Sequence, residues 1–296
     1  MKPVPFEYER PHSLKAACQL LADDEDAVII AGGQTLIPML AMRLARPSRL
    51  VDISRIDGLS GIEEQTDNIT VGCMTRHAEV ERSPVIASHV PLLSAAMPWV
   101  GHAPIRVRGT IGGSIANADP SAEVPLVLVT LDGTITLSNA TGSRTIPARS
   151  FFSGPMMTEI QPGECLTAAD FPVWQHSRTG IGFREIANRH GDFAMVAASA
   201  QVSVDATGKC IACAIGIGGV TDTPLALPEL ASSLVGTAFT DQSVHDAAKA
   251  ATDNLSAMSD PQTSPEYRKR AATKLIADAL MAARNDALET SEGVTT

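Results

Sequence analysis

The sequence predicts an α+β protein, with an α/β part to about residue 175 and an antiparallel part after it. Three observations carry this. "AVII" (Ala27 to Ile30), "AGGQT", "LIPMLAMRL" and "RLVDIS" (Arg49 to Ser54) read in turn as strand, glycine turn, helix and strand, a βαβ unit. A second glycine turn, "TIGGS" (Thr110 to Ser114), again stands just before apolar, helix-like sequence. Beyond it, "GFREIA", "AMVAASAQVSV" and "KCIACAIGIGGV" are three strand-like runs with no helix between them, the pattern of an antiparallel meander.

The remaining elements fall around these. Ser13 is placed to cap a helix through "LKAACQLLADD". "NITVG" reads as a strand, "TRHAEVER" as a helix opening at Thr75, and "VPLLSAAMPWV" as a further helix. After the second glycine turn come a helix at "AEVPLVLVTL" and strands at "TITLS", "SRTIP" and "CLTAADFPV". The last third holds helices at "DQSVHDAAKAATDNL" and "PEYRKRAATKLIADALMAARNDAL". No internal repeat is visible. The expected organisation is a first domain over 1–176, a second over 177–287 and a disordered tail over 288–296.

Composition narrows the function. The chain has 296 residues, 44% of them hydrophobic and 19% charged, ordinary values for a globular protein with an ample core. Its net charge of −10 offers no basic footprint for nucleic acid. The longest apolar runs, such as "VPLVLVTL", are too short to span a bilayer, and the first residues carry no secretory pattern. Five cysteines at irregular spacing suit a reducing cytoplasm rather than a disulfide framework.

The two glycine turns share a design: Gly-Gly, then a short polar residue, then a helix start. Glycine lets backbone approach a ligand closely, and amides at a helix start attract anions. Either turn alone is as readily an ordinary βα turn; two of like content fit a diphosphate held between them. No G-x-x-x-x-G-K-[ST] is present. "GIGGVT" (Gly216 to Thr221) lacks the third glycine and reads as a strand end and turn.

At these loops the chain resembles the FAD-binding medium subunits of molybdenum hydroxylases, the carbon monoxide dehydrogenase and xanthine dehydrogenase family. "AGGQTLIPMLAMRLARPSRLVDIS", "IRVRGTIGGSIANADPSAEVP", "FFSGPMMTEIQPGECLTAADFP", "FREIANRHGDFAMV" and "CAIGIGGVTDTPLAL" carry the resemblance, over roughly residues 1–285. It implies an FAD-binding domain of the vanillyl-alcohol oxidase/MurB-like (PCMH) type in two α/β subdomains. A C-terminal domain with a three-stranded antiparallel sheet and helices follows it. Non-covalent FAD is implied, its pyrophosphate between the two loops. Ala31, Gly32, Gly33, Gln34 and Thr35 match the first loop, flanked by Ile30, Leu36 and Ile37. Thr110, Ile111, Gly112, Gly113 and Ser114 match the second. Asn117 and Glu123 fall where the family places polar contacts to the ribityl and ribose regions. Val100 falls on a wall position, Leu166 near a backbone contact to the ring, and Phe193 where a Tyr often lies beside the isoalloxazine. Pro104 and Val107 depart from the family's Gln and Asn.

Other constellations are weaker. Cys210 and Cys213 form C-x-x-C, but on a strand i and i+3 face opposite sides, and no further ligand completes a metal site. His102 either tunes the flavin or is a loop residue. Arg106 and Arg108 pair either with the diphosphate or with carboxylates or a partner subunit. Asp119 is placed to bond backbone in its own turn. No side chain is singled out as a catalytic acid, base or metal ligand.

The resemblance implies an oxidoreductase subunit that passes electrons from [2Fe-2S] clusters to FAD and on to an external acceptor. A large molybdenum-pterin subunit would hydroxylate an aldehyde or N-heterocycle, and a small subunit would carry two [2Fe-2S] clusters. The expected assembly is a dimer of heterotrimers, a cytoplasmic heterohexamer. The alternatives are a self-sufficient FAD oxidase of the same fold and a scaffold subunit with a degenerate flavin site.

Overall fold

In the computed structural model, which describes residues 2–289, the chain opens with a small parallel sheet. Strand β1 (Glu7–Glu9) leads to helix α1 (Leu14–Asp23), whose Ser13 cap accepts the amide of Ala16 as the sequence predicts. Then come β2 (Ala27–Ile30), α2 (Leu36–Met42) and β3 (Arg49–Asp52). The expected βαβ unit is present: β2 and β3 pair in parallel, and β1 pairs with the free side of β3. The "EYE" of β1 is exposed on all three residues, so it has no apolar alternation to give it away.

Strands β4 (Ile62–Glu64) and β5 (Asn68–Gly72) begin a second sheet. A helical layer follows: α3 (His77–Arg82), α4 (Pro84–His89), α5 (Pro91–Ala96), α6 (Ala103–Arg106), α7 (Ile111–Asn117) and α8 (Glu123–Thr130). Helix α3 begins two residues after the expected Thr75, because the Thr75 hydroxyl instead exchanges hydrogen bonds with the backbone of Gly61. Strands β6 (Thr134–Ser138) and β7 (Ser143–Pro147), the hairpin β8 (Phe152–Gly154) with β9 (Met157–Thr158), and β10 (Cys165–Pro172) complete this part. The second sheet runs β4-β5-β10-β6-β7, all antiparallel. Every residue of α8 is buried, an apolar run between Glu123 and Thr130 enclosed between sheets.

The meander is β11 (Thr179–Ile186), β12 (Val196–Val204) and β13 (Cys210–Gly218), extended by a two-residue β14 (Leu225–Ala226) that the sequence reading did not include. Helices α9 (Pro228–Leu234), α10 (Asp241–Asp253) and α11 (Pro265–Glu289) cover it. Gly180 and Gly182 let α11 lie directly on β11: a Cβ on Gly182 would stand 2.8 Å from the Ala279 carbonyl carbon. Helix α11 continues through Leu288 and Glu289, so the expected tail does not begin at 288; its residues 290–296 lie outside the described ones.

One apolar cluster fills the space between the second sheet, α8 and the inner face of β11; another lies between β12, β13 and the last helices. Among the described residues, no helix is long and apolar enough to cross a membrane.

Candidate functional site

The two glycine loops touch. A Cβ on Gly32 would stand 2.8 Å from Gly109 Cα, and one on Gly113 3.8 Å from Ala31 Cβ. Gly33 takes a left-handed backbone (φ +71°), which swings the chain into α2. Ile37 closes the first turn on the Gly33 carbonyl at 3.0 Å. The amides of Gly32, Gly33, Gln34 and Thr35 make no hydrogen bond within the described residues. They are the unspent donors of a helix start, and Thr35 does not cap them with its side chain.

The second loop differs from the reading that gave both loops the same role. Its amides are already used: Ile111 donates to Thr75 O (3.0 Å) and Gly112 to Cys73 O (2.9 Å). Gly113 donates to Thr110 Oγ1 (3.1 Å) and Ser114 to Thr110 O (3.0 Å). Thr110 is the cap of α7, and Gly112 is glycine because a Cβ would lie 2.7 Å from Cys73 Cα. This loop buttresses the first against β5. It leaves the Ser114 hydroxyl, rather than spare amides, as its polar offering.

A cleft of about 710 Å³ opens over the first loop, lined by Ile30, Ala31, Gly32, Gly33, Gln34 and Ile37. Arg10, Arg76 and Arg108 line it as well, together with Tyr8, Asp52 and Ser54. The Tyr8 hydroxyl donates to Asp52, and Arg10 pairs with the same carboxylate at 3.3 Å. Burial works against the Asp52 charge. Hydrogen bonds from Tyr8 and Ser54 and the Arg10 guanidinium outweigh it and hold the carboxyl below its usual range. Arg76 donates to the Arg108 carbonyl, fixing the second-loop entry. Of these cleft residues outside the loops, the sequence reading had singled out Arg108 alone. Arg106 is spent elsewhere. It forms a two-pronged pair with Glu81 (2.8 and 3.0 Å) and donates to the carbonyls of Val100 and Gly101, so its role is structural.

The other expected residues spread away from this cleft. Leu36 is half-buried after the first loop; Val100 and Leu166 are buried and do not line this cleft. Asn117 reaches Met156 Sδ at 3.9 Å. Phe193 is 61% exposed, beside Gly191, whose positive φ and contact with His102 bring that histidine to the same rim. Asp119 accepts the Ser121 amide at 2.9 Å, the local turn expected of it. Glu123 is buried at the start of α8, where burial pushes its carboxyl up to about 7. Cys210 and Cys213 do not face opposite sides. Ile211 is bulged out of the β12–β13 ladder, so both cysteines lie opposite Val204 and Val202 on one face. No metal-binding group of histidine, cysteine and carboxylate side chains exists among the described residues.

The model of the FAD-binding domain of molybdopterin dehydrogenases matches residues 4–174, more than half the chain. The chain belongs to that family. This FAD-binding subunit also matches the C-terminal domain of the carbon monoxide dehydrogenase flavoprotein, over residues 181–283. It is 37% identical to a 6-hydroxypseudooxynicotine dehydrogenase subunit alpha of Paenarthrobacter nicotinovorans over 99% of each chain. To the carbon monoxide dehydrogenase medium chain of Afipia carboxidovorans it is 35% identical, over 96% of this chain and 98% of that one. Its fold superposes on a chain of quinoline 2-oxidoreductase from Pseudomonas putida with a TM-score of 0.92, at 35% identity, covering 97% of this chain and 100% of that one. It is thus an oxidoreductase subunit of the molybdenum hydroxylase type. The residues present suit its cofactor: Gly32, Gly33 and Gln34, with unspent amides, and three arginines line one cleft in a chain of net charge −10.

Proposed function

We propose that this FAD-binding subunit is the electron-transfer member of a heteromeric molybdenum hydroxylase. It would take electrons from [2Fe-2S] clusters on a small partner and deliver them to an external acceptor, while a large molybdenum-pterin partner oxidises the substrate. A dimer of heterotrimers in the cytoplasm is the assembly this reading implies.

The observation that carries the reading is the first loop, whose Gly32, Gly33 and Gln34, with unbonded amides, line a cleft together with Arg10, Arg76 and Arg108. The amides and guanidinium groups hold the diphosphate, and Thr110 to Ser114 support them from behind. Val100 and Leu166 exclude water from the ring, Asn117 and Glu123 hold the hydroxyl-bearing chain, and Phe193 covers the exposed rim. Bound FAD supplies one- and two-electron chemistry; the protein supplies position and electrostatics.

All the holding groups are non-covalent, and among the described residues no cysteine or histidine lines the first-loop cleft. Acid precipitation of the yellow protein therefore leaves FAD in the supernatant. Flavin absorbance retained on the washed pellet contradicts this mode of binding, and a purified complex without flavin contradicts the function itself.

A further inference from the structure

Helix α8 lies on one face of the β11–β12–β13 sheet, and the ladder shows which residues form that face. Ser199 Oγ meets Thr130 Oγ1 of α8 at 2.6 Å. Ser199 stands opposite Phe183 on β11 and Gly216 on β13. A Cβ on Gly216 would collide with the Thr130 side chain and stand 3.2 Å from Leu126. Two residues along the same face comes the row Glu185, Ala197, Gly218. There a Cβ on Gly218 would stand 3.3 Å from both Leu126 and the Pro120 carbonyl oxygen, so this row lies nearer the N-terminus of α8. Glu123 is the first residue of that helix.

Glu185 therefore faces the helix start that bears Glu123. Both of its carboxyl oxygens are enclosed and have no hydrogen-bond partner. Ala197 and Gly218 offer no side-chain polar group. Asp119, in the turn before α8, is engaged by the Ser121 amide. Arg184 lies on the opposite face of β11, and Arg268, from α11, is tied to Asp260 and to the carbonyls of Met195 and Gly219. Among the described residues, no cation pairs with either carboxyl. Burial pushes Glu185 up to about 8, and the neighbouring Glu123 adds to the shift.

We propose that Glu185 is a positioning residue for the flavin site: it and Glu123 hold one proton between them. Glu185 keeps that proton, so that Glu123 carries the single charge at the helix start and accepts from a ribityl or ribose hydroxyl of FAD. This rests on the reading that Glu123 faces bound FAD. Loss of the shared proton sets two buried carboxylates against each other and turns the Glu123 side chain from its hydroxyl partner.

The test titrates FAD into the deflavinated full chain between pH 6 and 9.5, with thermal melting of the same flavin-free samples at pH 5 and pH 9. Wild-type affinity is expected to fall above pH 8, by roughly tenfold per pH unit at most. Glu185→Gln, which stays neutral at every pH, holds its affinity level. Without FAD, Glu185→Gln melts higher than wild type at pH 9 and alike at pH 5. Parallel pH profiles for wild type and Glu185→Gln, in both binding and melting, overturn the pair. A melting difference without FAD binding by any variant leaves the pair standing and overturns the flavin reading instead.

Discussion

Gly33→Asp yields a folded, colourless protein. Gly33 has φ +71°, a region where aspartate is better tolerated than most residues, and its Cβ would meet only the flexible side chains of Ile37 (3.0 Å) and Ile30. The fold loses about 1 kcal/mol. The new carboxylate, however, stands among the four free amides and competes with the diphosphate for them. At about 5 Å and an effective dielectric of about 20, repulsion costs about 3 kcal/mol per phosphate charge. FAD affinity falls by at least about two orders of magnitude. Gly112→Asp gives the opposite outcome. Its Cβ would sit 2.7 Å from Cys73 Cα, and its charge would be buried beside that thiol. Such a change costs more than about 4 kcal/mol, and little soluble protein is recovered. Far-UV circular dichroism and the flavin absorbance of the purified variants measure both effects. Bound FAD in Gly33→Asp shows that the first loop is misassigned; a well-folded Gly112→Asp contradicts its buttressing role.

That contrast marks how far the sequence could be read. Both Gly-Gly turns stand out because they interrupt apolar periodicity just before a helix, and the βαβ unit around the first is legible in "AVII" and "RLVDIS". Which loop keeps its amides free is not legible, since that depends on Cys73 and Thr75, about 35 residues earlier in the chain, supplying acceptors to the second loop. Tyr8, Arg10 and Arg76 reach the cleft from a polar edge strand, from the residues just after it and from a helix cap, none with a motif of its own. The bulge at Ile211 inverts the simple alternation that set Cys210 and Cys213 on opposite faces. In "GFREIA" nothing sets Glu185 apart; only the ladder shows that it turns inward towards α8.

Acid weakens the second loop through His77. This residue opens α3 beneath Gly109, is 5% exposed, and neither ring nitrogen has a hydrogen-bond partner. Burial, helped by the Arg106 and Arg76 charges, lowers it from 6.5 to about 4. The folded state thus keeps the ring neutral while the unfolded chain takes up a proton below pH 6.5. The stability this provides is full above pH 6.5 and is lost as pH falls towards 4. Between pH 7 and 4.5 the loss is about 2 to 3 kcal/mol. The raised carboxyls of Glu123 and Glu185 act in the other sense, since the folded state binds their protons more tightly. The comparison must therefore be made between variants. His77→Leu removes the titrating ring, so its stability relative to wild type rises by that amount over the same interval. Denaturant unfolding at pH 7 and 4.5 reads it directly. An equal acid response in both proteins contradicts a buried neutral His77.

The central claim is that electrons leave the complex through FAD on this chain. Gly33→Asp built into the whole complex decides it, by adding substrate under anaerobic conditions and following cluster absorbance, then adding acceptor and following turnover. The partner clusters are expected still to bleach, since on the proposed function oxidation of substrate begins on the molybdenum subunit, while acceptor reduction collapses. Full acceptor turnover by the flavin-free complex would contradict it.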